Sequence, residues 1–315
     1  MKKKNFVSII IPCYNSQQFI RRAINSVLRQ SYRNFEIIAV NDGSKDSTSS
    51  ILDDFKKKIK IIHIKNSGPS VARNIGILKS KGELISFLDS DDYWHKDKLK
   101  IQVNFMKKYE DIKIVTSNLW SINKKKRIKK SDIFKIPYSK NFNDKFCITY
   151  KGIYPEKRYF YSSPSCLMVR KSIFKKYGLF NKRYKSTEDS EIFLRWMING
   201  EKSIFINRCL AYYNVINPKS LTKNINNWIY NHFKYWIDIE RKIKSQKILD
   251  DFLIMRKKTL LNSLLIVVKN LEPKIARDYI AKYFYLLVSF KVIFIFILTL
   301  LPLKHIRDIK NKFQF

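Results

Sequence analysis

Three residue types are scarce in this chain of 315 residues, which contains seven glycines, eight prolines and four cysteines. So few glycines and prolines exclude a collagen-like chain and a chain dominated by flexible linkers. The cysteines form no CxxC pair, so the sequence indicates neither a zinc site nor a disulfide framework. Hydrophobic residues make up 45% of the chain. That is enough for a packed core and excludes wholesale disorder.

Acidic residues are also scarce. Asp and Glu total 26 against 63 Lys and Arg, which gives a formal net charge of +37. This charge indicates either a surface for an anionic partner or a composition that is rich in lysine throughout. The densest basic stretch, residues 124–130, predicts a solvated loop. It comes without a helix-turn-helix, zinc-finger or aromatic RNA-binding pattern, so we expect no nucleic-acid partner.

The first hundred residues alternate between strand and helix patterns. Apolar β-branched runs predict four strands, and helical spacing of apolar residues predicts three helices, the first with Ser16 as its N-cap. The strands are expected at residues 6–12, 35–40, 59–64 and 84–88, and the helices at 17–30, 47–57 and 70–80. The short connections predict an α/β class fold with a doubly wound, mostly parallel sheet. Such sheets bind ligands beyond the carboxyl ends of their strands.

The pattern is irregular from about residue 93 to residue 150, becomes typical of a globular domain again from 160 to 215, and is almost entirely helical from residue 224 to the end. From residue 93 to residue 215 the spacing of apolar residues predicts two strands and three helices. The strands are expected at 112–118 and 163–169, and the helices at 96–109, 170–177 and 188–199. Gly200 is expected to close the last of these helices.

The few acidic residues cluster at strand and helix ends. Asp42 follows the second strand, Asp89-Ser90-Asp91-Asp92 follows the fourth, and Glu188-Asp189 opens a helix. Alternate carboxylates at the end of a strand can turn toward one point, where they suit Mn²⁺ or Mg²⁺. The alternative is an Asp-rich turn in which Asp92 or His95 caps the following helix.

Five segments in this order resemble family 2 glycosyltransferases, which have the A-type glycosyltransferase fold. The segments are Val7-Ser-Ile-Ile-Ile-Pro-Cys-Tyr-Asn15, Val40-Asn-Asp-Gly-Ser-Lys-Asp-Ser-Thr48, Gly68-Pro-Ser-Val-Ala-Arg-Asn-Ile-Gly76, Phe87-Leu-Asp-Ser-Asp-Asp-Tyr-Trp94 and Thr187-Glu-Asp189. The resemblance implies a glycosyltransferase domain over residues 1–222, with a nucleotide-sugar-binding half (1–95) and an acceptor-side half (96–222). A helical extension, residues 223–315, would follow it.

The resemblance implies an inverting, metal-dependent glycosyltransferase of the hexosyltransferase type. It would move a sugar from a nucleoside-diphosphate donor, expected to be a UDP-sugar, to a hydroxyl of a glycan or lipid-linked acceptor of the bacterial cell envelope. A sugar-phosphate nucleotidyltransferase is the alternative enzyme, although no glycine-rich loop follows the first strand. A non-catalytic protein that binds polyanions or membranes is the alternative outside the enzymes.

The resemblance also assigns roles at the donor site. Tyr14 is expected to stack near the nucleotide base, and Asp42 is expected to hydrogen-bond it. Arg73 would contact the donor, since a guanidinium suits a diphosphate. Asp89 and Asp91 would hold Mn²⁺ or Mg²⁺ against the diphosphate, with Asp92 in support. The full set of expected donor-binding residues is Pro12, Tyr14, Asn15, Asp42, Arg73, Asp89, Ser90 and Asp91.

Asp189 matches the catalytic base of the family, which deprotonates the acceptor hydroxyl while it attacks the anomeric carbon. Glu188 would cap the helix or touch the acceptor. The alternative is an acidic first helical turn that is favoured by the helix dipole. The family often carries a diphosphate-contacting Arg or His after the base, and this sequence offers Lys219 as a substitute.

Residues 283–303 are nearly apolar and carry one charge, at Lys291. Their length suits a membrane span, but this lysine and the basic residues beyond 303 disfavour one. We expect a segment that anchors the protein on anionic lipid at the inner face of the plasma membrane; a core helix or a dimer contact is the alternative. The apolar run that ends at Pro12 is too short for a signal peptide, so a cytoplasmic location is expected.

Overall fold

The computed structural model describes residues 4–123, 126–129, 147–151, 163–184, 186–214, 224–244, 246–269, 273–287 and 290–302. The described residues fall into two compact units, one formed by residues up to Asn214 and the other by residues from Asn224 onward. The functional division of the chain at residues 95 and 222 stays a prediction.

The first unit is built on one sheet. Its strands are β1 (Val7–Cys13), β2 (Phe35–Asp42), β3 (Lys60–Ile64), β4 (Leu84–Phe87), β5 (Tyr93–Trp94), β6 (Ile114–Asn123), β7 (Lys126–Lys129), β8 (Cys147–Lys151), β9 (Met168–Arg170) and β10 (Lys202–Asn214). Along the sheet the order is β3-β2-β1-β4-β9-β6-β10-β5, with β7 beside β6 and β8 beside β10. The first four pair in parallel, as do β6 and β10, while β9 runs antiparallel to both of its neighbours. The predicted mostly parallel α/β fold is confirmed.

Helices lie between the strands of this unit. They are α1 (Ile20–Leu28), α2 (Thr48–Asp53), α3 (Pro69–Lys79), α4 (Lys98–Lys108), α5 (Ser172–Tyr177) and α6 (Glu188–Ile198). In α1 the apolar residues repeat at helical spacing, and Ile20, Ala23, Ile24 and Val27 are buried. Strand β1 is buried along almost its whole length, as a central parallel strand requires. Helix α3 begins with Pro69, whose missing N–H has no intrahelical partner to lose at that position.

Several elements differ from the sequence expectations. Ser16 does not cap α1 with its side chain, because its Oγ contacts Tyr14 and Ser90 instead. The basic stretch contains β7, which pairs with β6, so the prediction of a loop there was wrong. The strand expected from residue 163 is largely a 3₁₀ turn, Pro164–Cys166, before the short β9. Strands β5, β8 and β10 were not predicted.

The second unit is helical, as expected for the C-terminal extension. Its helices are α7 (Ile225–Glu240), α8 (Gln246–Lys269), α9 (Pro273–Leu287) and α10 (Phe290–Leu300). Aromatic side chains form much of its core; the Trp236 and Phe252 ring centroids lie 5.1 Å apart, and those of Phe233 and Tyr279 lie 5.0 Å apart. Among the residues that the structure describes, none of the helices has the length and apolar character that a membrane span requires.

Candidate functional site

The carboxyl ends of β1, β2 and β4 are neighbours in the sheet, so the polar loops that follow them meet. The Oγ atoms of Ser16 and Ser90 lie 2.7 Å apart and share a hydrogen bond. The Lys45 N–H donates to Oδ1 of Asn15 at 2.8 Å. Asn15 has a φ of 48°, in the left-handed region that asparagine tolerates. The structure therefore brings the loop after Pro12 together with the other two predicted segments.

Asp42 is the last residue of β2 and is buried. Its Oδ1 accepts from the Ser67 N–H at 2.7 Å, and its Oδ2 accepts from the Gly68 N–H at 2.8 Å. Burial raises the pKa of Asp42, and these two hydrogen bonds oppose that rise. Asp42 thus fixes the loop before α3. A carboxylate oxygen can accept a further hydrogen bond, so its predicted contact with a base stays a prediction.

Arg73 on α3 is buried between two carboxylates. One guanidinium nitrogen donates to Asp89 Oδ1 at 2.7 Å, and the other donates to Glu188 Oε1 at 2.6 Å. Burial alone would lower the pKa of Arg73, but the charges of Asp89 and Glu188 raise it. The side chain also lies over the ring of Phe180. Arg73 therefore ties α3 to the end of β4 and to the start of α6, and its predicted donor contact stays a prediction.

Asp92 is fully buried and bonded within the fold. Its Oδ2 accepts from the Ser165 hydroxyl at 2.6 Å, and its Oδ1 accepts from the Asn214 N–H at 3.0 Å. Burial, followed by the charges of Asp91 and Asp89, raises the pKa of Asp92 well above its ordinary value. Asp92 does not cap α4. It holds the acidic loop against the 3₁₀ turn and against the end of β10.

Asp89 and Asp91 flank Ser90 and are both partly exposed at this edge of the sheet. Within the part of the chain that the structure describes, no three acidic, His or Cys side chains form a metal cluster. Two carboxylates fit Mn²⁺ or Mg²⁺ only when the ion takes its remaining ligands from phosphate oxygens and water. The donor set therefore suits an ion that arrives with a diphosphate.

Asp189 lies in the first turn of α6 and is half-buried. Its Oδ1 accepts from the Ser190 N–H at 2.8 Å. Burial, followed by the charge of Glu188, raises the pKa of Asp189 to about 7, while Arg73 opposes the rise. A carboxylate whose pKa lies near neutrality can take a proton and release it again, which is what a general base requires.

Three buried polar atoms at the start of α6 and on Arg73 have no hydrogen-bond partner. In the described ranges, Thr187 Oγ1, Glu188 Oε2 and Arg73 Nε are buried and make no hydrogen bond. Buried polar atoms of native proteins are nearly always satisfied. These three atoms are exceptions, and all of them lie in or beside the ion pair between Arg73 and Glu188.

One predicted site residue lies outside the described residues. Two residues of the site region were not predicted from the sequence. Lys219 falls in residues 215–223, of which nothing is described. Ser165, which bonds the acidic loop, could not be found because its role depends on tertiary contacts. Nothing in the sequence distinguishes Lys98 from the many other lysines except its spacing of four from Gln102, which allows the two side chains to meet on one helix face.

The model of glycosyl transferase family 2 matches residues 8–178, more than half of the chain. The chain belongs to this family. The matched range contains the loops after β1, β2 and β4 and most of the contacts described above. It ends before Asp189, so the role of that residue is not part of the match.

Relatives with this chain's sequence pattern are bacterial glycosyltransferases. An uncharacterized glycosyltransferase of Rickettsia typhi is 29% identical over 243 residues, which cover 77% of this chain and 74% of the relative. The putative teichuronic acid biosynthesis glycosyltransferase TuaG of Bacillus subtilis is 44% identical over 107 residues, 33% of this chain and 42% of the relative. For a relative from Rickettsia conorii the match spans only 17% of its length. The family and these relatives support an enzyme of the hexosyltransferase type.

Solved structures share the fold. TarS 1–349 of S. aureus, crystallised with UDP-GlcNAc, is 18% identical over 98% of this chain and 91% of that one, with a TM-score of 0.64. The mannosyltransferase PcManGT of Pyrobaculum calidifontis, in complex with GDP-Man and Mn²⁺, is 13% identical over 98% of this chain and 87% of that one, with a TM-score of 0.58. These likenesses confirm the A-type glycosyltransferase fold.

The pKa of Asp189 predicts a stabilising substitution. In an unfolded chain the pKa of an aspartate is about 3.9, whereas Asp189 in the folded protein has a pKa of about 7. The folded state binds the proton more tightly, so its stability falls as the pH rises from about 4 to about 7. Asp189→Asn has no carboxylate at this position and does not lose stability in this way. We expect its Tm to exceed the wild-type Tm above pH 7 and to match it near pH 4.

Differential scanning fluorimetry across this pH range measures the effect. Asp53→Asn, at an exposed position of α2, is the control and should leave Tm unchanged at every pH. An Asp189→Asn protein that is no more stable than the wild type at pH 8 would contradict the burial argument.

Arg73→Met should destabilise the first unit. The substitution leaves Glu188 buried without its counter-charge, and removing one partner of a buried pair costs about 3–5 kcal/mol. The free energy of unfolding from urea titration measures the loss. Arg73→Met combined with Glu188→Gln should recover part of it, because the buried Glu188 charge is no longer left unpaired. Equal losses in the single and double variants would show that the pair does not carry this stability.

Proposed function

We propose that this chain is an inverting glycosyltransferase that moves a sugar from a nucleoside-diphosphate donor to an acceptor hydroxyl, with Asp189 as the base. The observation that carries the proposal is the half-buried Asp189 carboxylate, with a pKa of about 7, at the start of α6. Asp189 follows Glu188, which forms an ion pair with Arg73, and Arg73 also pairs with Asp89 at the end of β4. The base and the acidic loop are thus linked through one arginine.

Asp189 would remove the proton of the acceptor hydroxyl as its oxygen attacks the anomeric carbon. The new carbon–oxygen bond forms as the bond to the departing diphosphate breaks, and attack from the opposite face inverts the configuration. Because the pKa of Asp189 is about 7, the carboxylate is ionised in a large share of molecules at neutral pH and still basic enough to accept the proton. Glu188 keeps Arg73 in place and, through its charge, helps to raise that pKa.

The donor would lie on the loops after β1, β2 and β4. Tyr14 is 47% exposed, which leaves its ring free to stack on a base, and Asp42 lies at the end of the adjacent β2. The TarS complex with UDP-GlcNAc supports a UDP-sugar as the donor. Asp89 and Asp91 would hold Mn²⁺ or Mg²⁺, which stabilises negative charge on the leaving diphosphate when it is bound.

The acceptor would be a glycan or a lipid-linked sugar at the inner face of the plasma membrane. TuaG, named for teichuronic acid biosynthesis, supports a cell-envelope polysaccharide. Helix α10 supports a membrane contact, because it exposes Phe296, Ile297 and Leu300 on one side. The net charge of +37 favours anionic lipid. The protein would lie on the membrane as a peripheral enzyme.

The donor site is tested by the thermal shift of the whole protein with nucleoside diphosphates and nucleotide sugars, each with and without Mn²⁺. A ligand at a hundredfold excess over its Kd stabilises the fold by about 2.7 kcal/mol, a rise in Tm of about 5 °C or more. We expect this rise with UDP and Mn²⁺ together, and its loss in Asp91→Ala. Asp111→Ala, which removes an exposed carboxylate between α4 and β6, is the matched control.

The outcomes separate the parts of the proposal. Asp189→Asn should keep the nucleotide shift but lose about a hundredfold or more in kcat, the range of general base catalysis. A folded wild type that no nucleotide stabilises would contradict the donor site. A shift that survives in Asp91→Ala would contradict the role of that carboxylate.

The membrane contact is tested by substituting Phe296, Ile297 and Leu300 together with serine. Each apolar side chain buried in lipid contributes up to about 2 kcal/mol, so the triple variant should sediment with phosphatidylglycerol vesicles far less than the wild type. Ile254→Ser, at a 57% exposed position of α8, is the control and should bind as the wild type does. Equal sedimentation of the triple variant and the wild type would overturn the proposed contact.

A further inference from the structure

Lys98, the first residue of α4, is completely buried. Its Nζ donates to Gln102 Oε1 at 2.6 Å and to Ser86 Oγ at 3.1 Å, and it lies 4.0 Å from the centre of the Trp94 ring. Among the described residues it makes no ion pair. Burial lowers the pKa of Lys98 to about 7. A lysine placed so deeply without a carboxylate is uncommon, and the donor site described above does not account for it.

The three side chains around the Lys98 amine all reach one stretch of backbone. Trp94 Nε1 donates to the Ser165 carbonyl at 2.8 Å, Gln102 Nε2 donates to the Cys166 carbonyl at 2.8 Å, and Ser86 Oγ donates to the Leu167 carbonyl at 2.7 Å. We call Ser165–Leu167 the anchor segment. Its three consecutive carbonyls are therefore held by three side chains that meet at one amine.

The anchor segment in turn bonds the acidic loop. Ser165 Oγ accepts from the Asp89 N–H at 3.1 Å and donates to Asp92 Oδ2 at 2.6 Å. One serine hydroxyl thus fixes the loop at both ends, on either side of Asp91. Because a hydroxyl can donate only once, its hydrogen cannot rotate away without breaking the hydrogen bond to Asp92.

We infer that Lys98 is a positioning residue for the acidic loop Asp89–Asp92, acting through the anchor segment. Its amine orients Ser86 and Gln102, these side chains and Trp94 fix the anchor segment, and Ser165 sets the loop that faces the donor. The inference rests on the proposed function, because it takes that loop as the donor-binding one. This positioning role explains why position 98 has a lysine. An apolar side chain there would pack on Trp94 at a lower desolvation cost.

Lys98→Met tests the inference, because methionine keeps the length and the contact with Trp94 but makes no hydrogen bond. Hydrogen exchange followed by mass spectrometry is measured on the full chain without ligand. We expect peptides that contain Asp89–Asp92 and the anchor segment to exchange about tenfold faster, while peptides of β1 and α1 stay unchanged. Val103→Ala, a cavity at a fully buried position of the same helix, is the control and should not loosen the loop selectively.

The Mn²⁺ dependence of donor turnover is the second readout. Lys98→Met should need about tenfold more Mn²⁺ for half-maximal rate and should regain most of the wild-type kcat at saturating Mn²⁺, which a general loss of folded protein would not permit. Ser165→Ala should show the same change, and the double variant should be no worse than either single one. Additive losses, or unchanged exchange of the loop in Lys98→Met, would overturn the inference.

The two proposals fail in different ways. A wild-type protein that turns over no nucleotide sugar would contradict the proposed function, while the exchange pattern of the acidic loop still decides whether Lys98 positions it. A wild type that is active, with a Lys98→Met variant whose loop exchange and Mn²⁺ requirement are unchanged, would contradict the role of Lys98 alone.

Discussion

The buried ion pairs of Arg73 are the interaction on which the site depends. A single guanidinium joins α3, the end of β4 and the start of α6, which are separated by up to 115 positions along the chain. Two carboxylates must approach each other at the edge of a sheet, and a cation between them lowers their repulsion. Without Arg73, Asp89 and Glu188 would face each other unscreened. The same arginine therefore provides both a structural tie and the electrostatic balance of the site.

The properties of Asp189 follow from that balance. Burial and the charge of Glu188 raise its pKa, and Arg73 limits the rise, so that the group titrates near neutrality. Asp92, in contrast, has a structural role. It is sealed from solvent, bonded to Ser165 and Asn214, and serves to hold the loop in place. Acidic residues within one site thus take different tasks because their surroundings differ, and the scarcity of acids in the chain makes these positions easy to recognise.

Much of the fold could be predicted because its signals are local. The four apolar β-branched runs became β1 to β4, and the parallel pairing of those strands places Asp42 and Asp89 at one edge of the sheet. Strand β10 was missed, since its thirteen residues include polar and basic ones and it is defined by pairing with β6 and β8. The partners of Arg73 and Ser165 could not be predicted either. Those contacts join residues far apart in the chain, and residue type alone does not reveal which carboxylate a buried arginine will meet.

The configuration of the product tests the central claim most directly. Proton NMR of the sugar released at early times, with water as the acceptor and an α-linked nucleotide sugar as the donor, distinguishes the two anomers before they interconvert. In-line attack assisted by Asp189 predicts the β anomer from the wild type and little release from Asp189→Asn. An α anomer from the wild type would require a different arrangement of nucleophile and leaving group and would contradict the account.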